Sequence, residues 1–372
     1  MKKIGVIGGG QLARMMIPAS INLGLELKIF AETHDSPAAL AVTQVGDYRD
    51  KKQLEAFART VDVITFDHEH VPIDNLVGLR ANGALIAPSP DALRLTHDKT
   101  VMRSALASIG MPQPLFFALR QGADKEQALA QVGGFPCVAK KPVGGYDGKG
   151  VRVIDAWSEI DDWLEEGTVL LEERVSFVRE LAQLVARRQG GQIETWPTVE
   201  TRQKDGVCSE VVAPAPGLTP SQGETATMIA RTIAETYGVV GVLAVELFET
   251  HNGEILVNEL AMRPHNSGHI FTELSRTSQF EQHLRAVADL PLGDATLAWP
   301  SGVMANVFGE VHQARLETAL HRYPEVKIHS YQKPAREGRK AGHISVVGST
   351  AQELLASATG ARAILDDSGY PG

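Results

Sequence analysis

The sequence predicts an α/β protein of two or three domains, and three stretches carry that reading. Near the start, two buried runs flank a glycine turn and an apolar helix, the pattern of a β-α-β unit. In the middle, two short apolar runs flank a loop rich in glycine and lysine. Further on, two longer apolar runs flank Asn252-Gly253, the strongest local signal for a tight hairpin. At 372 residues the chain has ample length for more than one core.

Composition narrows the classes. Apolar content of 43% and charged content of 22% are those of an ordinary globular enzyme. A net charge of −9 and a pI near 5.8 give a nucleic-acid partner no electrostatic support. No apolar run approaches the length of a membrane span, and the glycine-broken start MKKIGVIGGG is too short for a signal peptide. Cys137 and Cys208 stand in no metal-like spacing. These features predict a cytoplasmic enzyme with neither nucleic acid nor membrane as partner.

In chain order, Ile4 to Ile7 reads as a buried strand. Gly8-Gly9-Gly10-Gln11-Leu12-Ala13 then opens a helix that ends near Gly24, with Pro18 expected to kink it. Leu25 to Phe30 is a second strand with Glu32 at its end. The pattern fits the dinucleotide fingerprint G-x-G-x-x-A, which would make the chain a nicotinamide or flavin enzyme. It fits equally a helix N-terminus held close to a sheet, where any anion can bind. Val61 to Phe66 is another buried strand, and it runs into Asp67-His68-Glu69-His70. Polar residues past the carboxyl end of a parallel strand face the ligand crevice, so Glu69 is expected to contact substrate. His68 and His70 with Glu69 could also suggest a metal site, but neighbouring side chains of an extended segment point opposite ways, which favours substrate contact for Glu69 and no metal. Ile86 to Pro90 closes this first region.

Next come a helix from about Asp98 to Ile109 and a linker, Met111-Pro112-Gln113-Pro114. Strands at Pro136–Lys141 and Val151–Ile154 flank the loop Val143 to Gly150. No Ser or Thr follows Lys149 and a strand comes next, so this is not a P-loop. A glycine hairpin whose N–H groups and lysine lie over a nucleotide accounts for it better. Thr168–Glu173 and Leu181–Arg187 read as strands with Glu180 between them. Ser221-Gln222-Gly223-Glu224 has the form of a capping box opening a helix toward Gly238, with Ile229, Ile233 and Tyr237 on its core face.

A two-residue hairpin centred on Asn252-Gly253 sets Glu246 opposite Glu259. Like charges so placed repel. Either a hard cation such as Mg²⁺ neutralises them together with nucleotide phosphates, or the ribbon is an edge whose glutamates face water. Arg263-Pro264-His265-Asn266-Ser267-Gly268-His269 follows, too rich in donors for a plain connector. Between Lys333 and Lys340 four cations fall in eight residues, either a solvated turn or a phosphate site.

GGGQLARM at Gly8–Met15, K-x-x-x-GGYDGKG at Lys140–Gly150, NELAMRPHNSGH at Asn258–His269 and GRKAGH at Gly338–His343 cover all three regions. In this order they resemble the ATP-grasp ligases, and among them the branch that carboxylates 5-aminoimidazole ribonucleotide in purine biosynthesis. The resemblance implies an ATP-grasp fold with an N-terminal Rossmann-like (pre-ATP-grasp) domain over 1–95. The ATP-grasp domain would span 96–290, its lid roughly 112–180, and a small C-terminal α/β domain 291–372. The implied reaction takes ATP, bicarbonate and the ribonucleotide to ADP, phosphate and the N5-carbamate through carboxyphosphate, usually in a homodimer. A formate-using transformylase and a biotin carboxylase are neighbours in the superfamily, but GGYDGKG and RPHNSGH argue against both.

The resemblance also assigns roles. Arg94 and Lys140 would neutralise phosphate oxygens, and Gly145, Tyr146, Asp147, Gly148, Lys149, Gly150 and Val151 would close over the triphosphate. Adenine would lie against Glu172, Glu173, Arg174 and Val175, ribose on Glu180, with Asn258 beside the nucleotide and Mg²⁺ on Glu246 and Glu259. Tyr146 and Asp147 would meet the aminoimidazole and bicarbonate, Lys149 would join them in catalysis, and Arg263 and His265 would hold the bicarbonate-derived group, next to Asn266 and Ser267. Lys333, Arg339 and Lys340 would take the 5′-phosphate, while Gln11, Leu12 and Glu69 line the sugar and base. Asp67, His68, His70 and Gln203 depart from the family pattern.

Overall fold

The computed structural model describes residues 1–145, 150–333 and 338–366. Among them the strands form three sheets. The first is parallel, order β3-β2-β1-β4, from β1 (Lys3–Ile7), β2 (Glu26–Ala31), β3 (Val42–Val45) and β4 (Val63–Phe66). Ile4, Val6, Ile7, Ile64 and Phe66 are almost wholly buried, as the unbroken apolar runs of a sheet covered on both faces require. Strand β3, with its polar Thr43 and Gln44, gave no periodic signal. The helix Gln11–Asn22 follows the glycine turn and contains Pro18.

The second sheet is antiparallel, order β5-β8-β6-β7, built from β5 (Phe116–Leu119), β6 (Cys137–Lys140), β7 (Val151–Ile154) and β8 (Val169–Glu173). Leu119, Cys137, Ala139, Trp163 and Leu171 form its own small core.

The third sheet is the frame of the molecule. It comprises β9 (Phe177–Arg187), β10 (Ile193–Thr195), β11 (Val199–Lys204), β12 (Val207–Ala213), β13 (Gly241–Thr250), β14 (Ile255–Ala261), β15 (Ser301–Phe308), β16 (Lys327–Ser330) and β17 (Lys340–Gly348). Its order is β14-β13-β9-β11-β12-β15-β17-β16, with β10 on β9. Glu180 lies inside β9 rather than ahead of it, because the half-exposed start of that strand lacks an apolar run. Pairing of β12 with β15, from Glu210↔Ala305 to Ala213↔Gly302, carries the sheet unbroken past residue 290.

The helix Pro220–Thr236 covers one face of this sheet with Ile229, Ile233 and Ala226 fully buried. Its cap is Thr219, not the expected Ser221. Thr219 Oγ1 accepts from the Gln222 N–H at 3.3 Å, and Gln222 Oε1 accepts from the Thr219 N–H at 3.0 Å. Pro220 then sits at the first helical position, where its missing N–H costs nothing. Among the described residues no helix is long and apolar enough to cross a membrane.

Candidate active site

The hairpin β13–β14 pairs Glu246 with Glu259, as expected, but by a different route. Gly253 has φ +80° while Asn252 is not in the left-handed region, and the Thr250 N–H donates to Glu254 O at 3.0 Å. The turn is therefore one residue longer than a two-residue hairpin, ending in a glycine bulge. Near the turn Leu247 faces Val257; a second irregularity, between Glu246 and Leu247, then returns Glu246 to Glu259. Asn258 is the extra residue.

Both glutamates line a cleft of about 970 Å³ between the second and third sheets. Lys140, Val151, Glu172, Glu173, Arg174, Val175, Glu180, Asn258, His265, Asn266, Ser267 and Lys340, all anticipated, line it too. A groove of about 770 Å³ along the helix Pro220–Thr236 contains none of the motif residues, so the chemistry belongs to the first cleft.

Ion pairs hold the cleft's charges in place. Lys99 Nζ lies 2.7 Å from Glu259 Oε1, and His265 Nε2 lies 3.1 Å from Glu246 Oε1. His265 Nδ1 lies 2.8 Å from Ser267 Oγ and accepts from the Ser267 N–H at 3.4 Å, contacts that hold the ring with Nε2 toward Glu246. Burial opposes ionisation of Glu246, but the His265 contact, then Lys340 and Arg263, outweigh it and hold its carboxyl below the usual range. Lys140 Nζ sits 2.7 Å from Glu172 Oε2 and 3.4 Å from Asn258 Oδ1. Glu172 is buried, and although desolvation works against its charge, Arg103 and Lys140 keep it ionised below its ordinary value. Its side chain is committed to those cations, leaving its backbone for a ligand.

Arg103 and Lys99 lie in no motif, and Gln203 departs from the family pattern, yet all three bear on the site. Arg103, fully buried, donates to Glu172 at 2.7 and 3.1 Å and to the carbonyls of Val257 and Asn258 at 2.8 Å each. It ties β8 to the bulge that orients Glu259. Gln203 Nε2 donates to Glu180 Oε2 at 2.8 Å inside the cleft. Burial, and then nearby Glu246, raise the Glu180 carboxyl against that bond. The rings of Phe177 and Phe248 stack at 4.6 Å in the lining, and Val151, Val153 and Phe177 are exposed there, making an apolar wall.

Other expected residues lie elsewhere. Arg94, on the helix Pro90–His97, is exposed and does not line the cleft; the cation beside Glu259 is Lys99. The Leu12 side chain is buried in the N-terminal core, so only its backbone can meet a ligand. Glu69 Oε1 accepts from the Met262 N–H at 2.7 Å and its Oε2 lies 3.3 Å from Arg263 Nε, so it anchors the Arg263 loop. Gln11 Oε1 accepts from Lys333 Nζ, joining the first helix to the basic run. The Arg339 carbonyl accepts from the Gly309 N–H at 3.1 Å, and Arg339 does not line the cleft. Tyr146, Asp147, Gly148 and Lys149 lie outside the described residues, next to Gly145 and Gly150.

The glycine fingerprint is occupied by the protein itself. Asp67 Oδ2 accepts from the Gly10 N–H at 3.0 Å and Oδ1 from the Ala13 N–H at 2.7 Å. A carboxylate thus fills the helix N-terminus where a dinucleotide pyrophosphate would sit. Glu32 faces His68, 3.8 Å from Nε2. His68 and His70, two residues apart, lie on one side of the segment after β4, and their rings stack at 5.3 Å.

Among the described residues no group of three or more His, Cys, Asp or Glu could hold a metal on its own. Glu246 and Glu259 are hard oxygen donors on facing strands, which fits Mg²⁺ only when phosphate and water oxygens complete its shell.

Comparison with known proteins agrees with this fold. Residues 1–97 match the ribonucleotide synthetase preATP-grasp domain, 104–280 the ATP-grasp domain and 302–357 the phosphoribosylaminoimidazole carboxylase C-terminal domain. The chain is 47% identical over 364 residues to the N5-carboxyaminoimidazole ribonucleotide synthase of Mycobacterium tuberculosis, covering 94% of this chain and 85% of that protein. The crystal structure of the Thermotoga maritima synthetase superposes with a TM-score of 0.87 at 36% identity, over 98% of this chain and 99% of that one. The Aspergillus clavatus enzyme in complex with ADP and 5-aminoimidazole ribonucleotide does so with 0.87 at 29% identity, over 98% of each chain. A fold, a cleft and three matched domains in the same order lead to one assignment: the chain belongs to the N5-carboxyaminoimidazole ribonucleotide synthase family of ATP-dependent ATP-grasp ligases.

Proposed function

We propose that this chain carboxylates the exocyclic amine of 5-aminoimidazole ribonucleotide with bicarbonate, converting ATP to ADP and phosphate, as a step of purine biosynthesis. The observation that carries the reading is the convergence of Glu246, Glu259, Asn258, Lys140, His265 and Lys340 on one cleft with an apolar wall. The purine of ATP suits that wall and the backbone from Glu172 to Val175, with the ribose hydroxyls on Glu180. Lys140 meets the phosphates. Glu246 and Glu259 would hold Mg²⁺, which supplies charge neutralisation across the phosphate oxygens.

A bicarbonate oxygen attacks the γ-phosphorus, the bond to the β-phosphate oxygen breaks, and ADP leaves. Carboxyphosphate then gives its carboxyl carbon to the amine, a C–N bond forms, phosphate departs and the nitrogen loses a proton. Such chemistry needs positioning and charge stabilisation rather than a protein nucleophile. Arg263 and His265 stabilise the bicarbonate-derived group. Tyr146 and Asp147 would meet the aminoimidazole and bicarbonate, with Lys149 joining them in catalysis, and excluding water there would protect carboxyphosphate from hydrolysis. Lys333, Arg339 and Lys340 bind the 5′-phosphate, with Gln11 and Glu69 positioning the first of these and Arg263. Arg94 is retained as a phosphate contact on family likeness alone.

The test is ADP release from ATP with and without bicarbonate and the ribonucleotide. Release that needs both supports the reading; release indifferent to the ribonucleotide, or driven by another amine, overturns it. A cytoplasmic homodimer belongs to the same reading, and sedimentation at the mass of one chain would remove the dimer.

A further inference from the structure

His265 depends on a side chain outside the cleft. Gln279 is fully buried at the start of the helix Gln279–Val287. Its Oε1 accepts from the His265 N–H at 2.8 Å, and its Nε2 donates to the His265 carbonyl at 2.8 Å and meets His269 Nδ1 at 2.9 Å. An amide N–H can only meet an acceptor, so the Gln279 orientation is fixed, and His269 Nδ1 must accept. His269 is therefore neutral with its proton on Nε2. Its complete burial, the largest influence on it, favours that state, and the cations around it add to the effect. Space for this clamp is reserved by Gly268, where a Cβ would run into Gln279 and Leu184. Both polar groups of the His265 main chain are thus held by one side chain, while its ring faces Glu246 at 3.1 Å.

We propose that Gln279 is a positioning residue for the carboxylation: by clamping the His265 main chain it sets the imidazole against Glu246 at the reacting phosphates. The inference rests on the function proposed above. It touches no substrate itself, and its effect falls on turnover rather than on nucleotide binding.

The same helix supplies a control. Gln282, also fully buried, clamps Gly293 in the same manner, accepting from its N–H at 2.8 Å and donating to its carbonyl at 2.6 Å, with no contact to the cleft. The experiment compares Gln279→Leu with Gln282→Leu in the full chain. Three quantities are read: kcat and KM for ATP and the ribonucleotide, the melting temperature, and hydrogen exchange at the His265 amide. Gln279→Leu is expected to lower kcat about 100-fold, the scale set by a small misplacement of a reacting group. Its KM values should move by less than about threefold, and the His265 amide should exchange faster. Gln282→Leu is expected to lose similar thermal stability with kcat and His265 exchange near wild type. Equal losses of kcat in the two variants, or wild-type kcat in Gln279→Leu, would overturn the proposal. If Gln279→Leu does not fold, Gln279→Glu keeps the acceptor but loses both donated bonds, and the same comparison applies to it. Wild-type protein without ribonucleotide-dependent ADP release would instead overturn the function reading, while exchange at His265 still decides whether the clamp exists.

Discussion

Arg103 and Glu259 show how differently two charged residues of one site bear on fold and chemistry. The Arg103 guanidinium divides its fork of donors among Glu172 and two carbonyls of the bulged strand, a geometry no lysine reproduces. Arg103→Met leaves Glu172 buried with Lys140 as its remaining ion-pair partner and strips two carbonyls of their donor. Breaking such a buried pair costs about 3–5 kcal/mol, so the urea midpoint should fall markedly; a midpoint like wild type would remove Arg103 as the tie between β8 and β14. Glu259 is 41% exposed, and although its partner Lys99 is largely buried, both open onto the cleft, where water screens the pair to about 1 kcal/mol. Glu259→Gln should therefore melt within a few degrees of wild type yet form no ADP. Turnover at the wild-type rate would dismiss the carboxylate as a ligand of the nucleotide's metal.

The hairpin shows what was legible in the sequence and why some of it was not. Counting outward from Asn252-Gly253 places Glu246 against Glu259, and the register agrees, because two one-residue displacements cancel: a longer turn and the bulge at Asn258. Neither is marked in the local sequence. The bulge is held by Arg103, more than 150 residues earlier, so its cause is tertiary. Asp67 at the first helix N-terminus and Gln203 beside Glu180 escaped for the same reason, their partners being remote in sequence. Buried strands and glycine loops were readable because periodicity and backbone freedom are local properties. Gly253→Ala tests the division of labour within the hairpin. At φ +80° an added Cβ costs about 1 kcal/mol, but the register at Glu246 is set again beyond the turn by the bulge. Stability should drop by that amount with ADP formation retained. A large loss of turnover with intact folding would mean that the turn, and not Arg103, sets the carboxylates.

Across the whole molecule, the parallel N-terminal sheet and the large sheet meet at a buried histidine. His283 accepts from the Val242 N–H through Nδ1 at 3.1 Å, so its protonated Nε2 faces Thr65 Oγ1 at 2.8 Å, joining β13 to β4. Gly241, with φ +118°, leaves room for the ring. Burial alone pushes the imidazole from 6.5 to about 3, so it stays neutral in the folded protein at any working pH. In the unfolded chain the same residue takes up a proton as pH falls below about 6.5. The unfolded state then binds more protons than the folded one, and stability declines with falling pH from about 6.5 until the folded group titrates near 3. Buried His269 and His343, also held well below their usual value by desolvation and neighbouring cations or imidazoles, act in the same direction. As pH falls below about 6.5, each such neutral histidine contributes up to a factor of ten in the folding equilibrium per pH unit. His283→Gln can keep an acceptor for Val242 and a donor for Thr65 but has no proton to gain. Urea unfolding at pH 7, 6 and 5 should show a lower stability for the variant at pH 7 and a shallower decline toward pH 5, by about one proton. Parallel declines in the two proteins would place the acid sensitivity elsewhere and deny His283 its part in joining the sheets as a neutral ring.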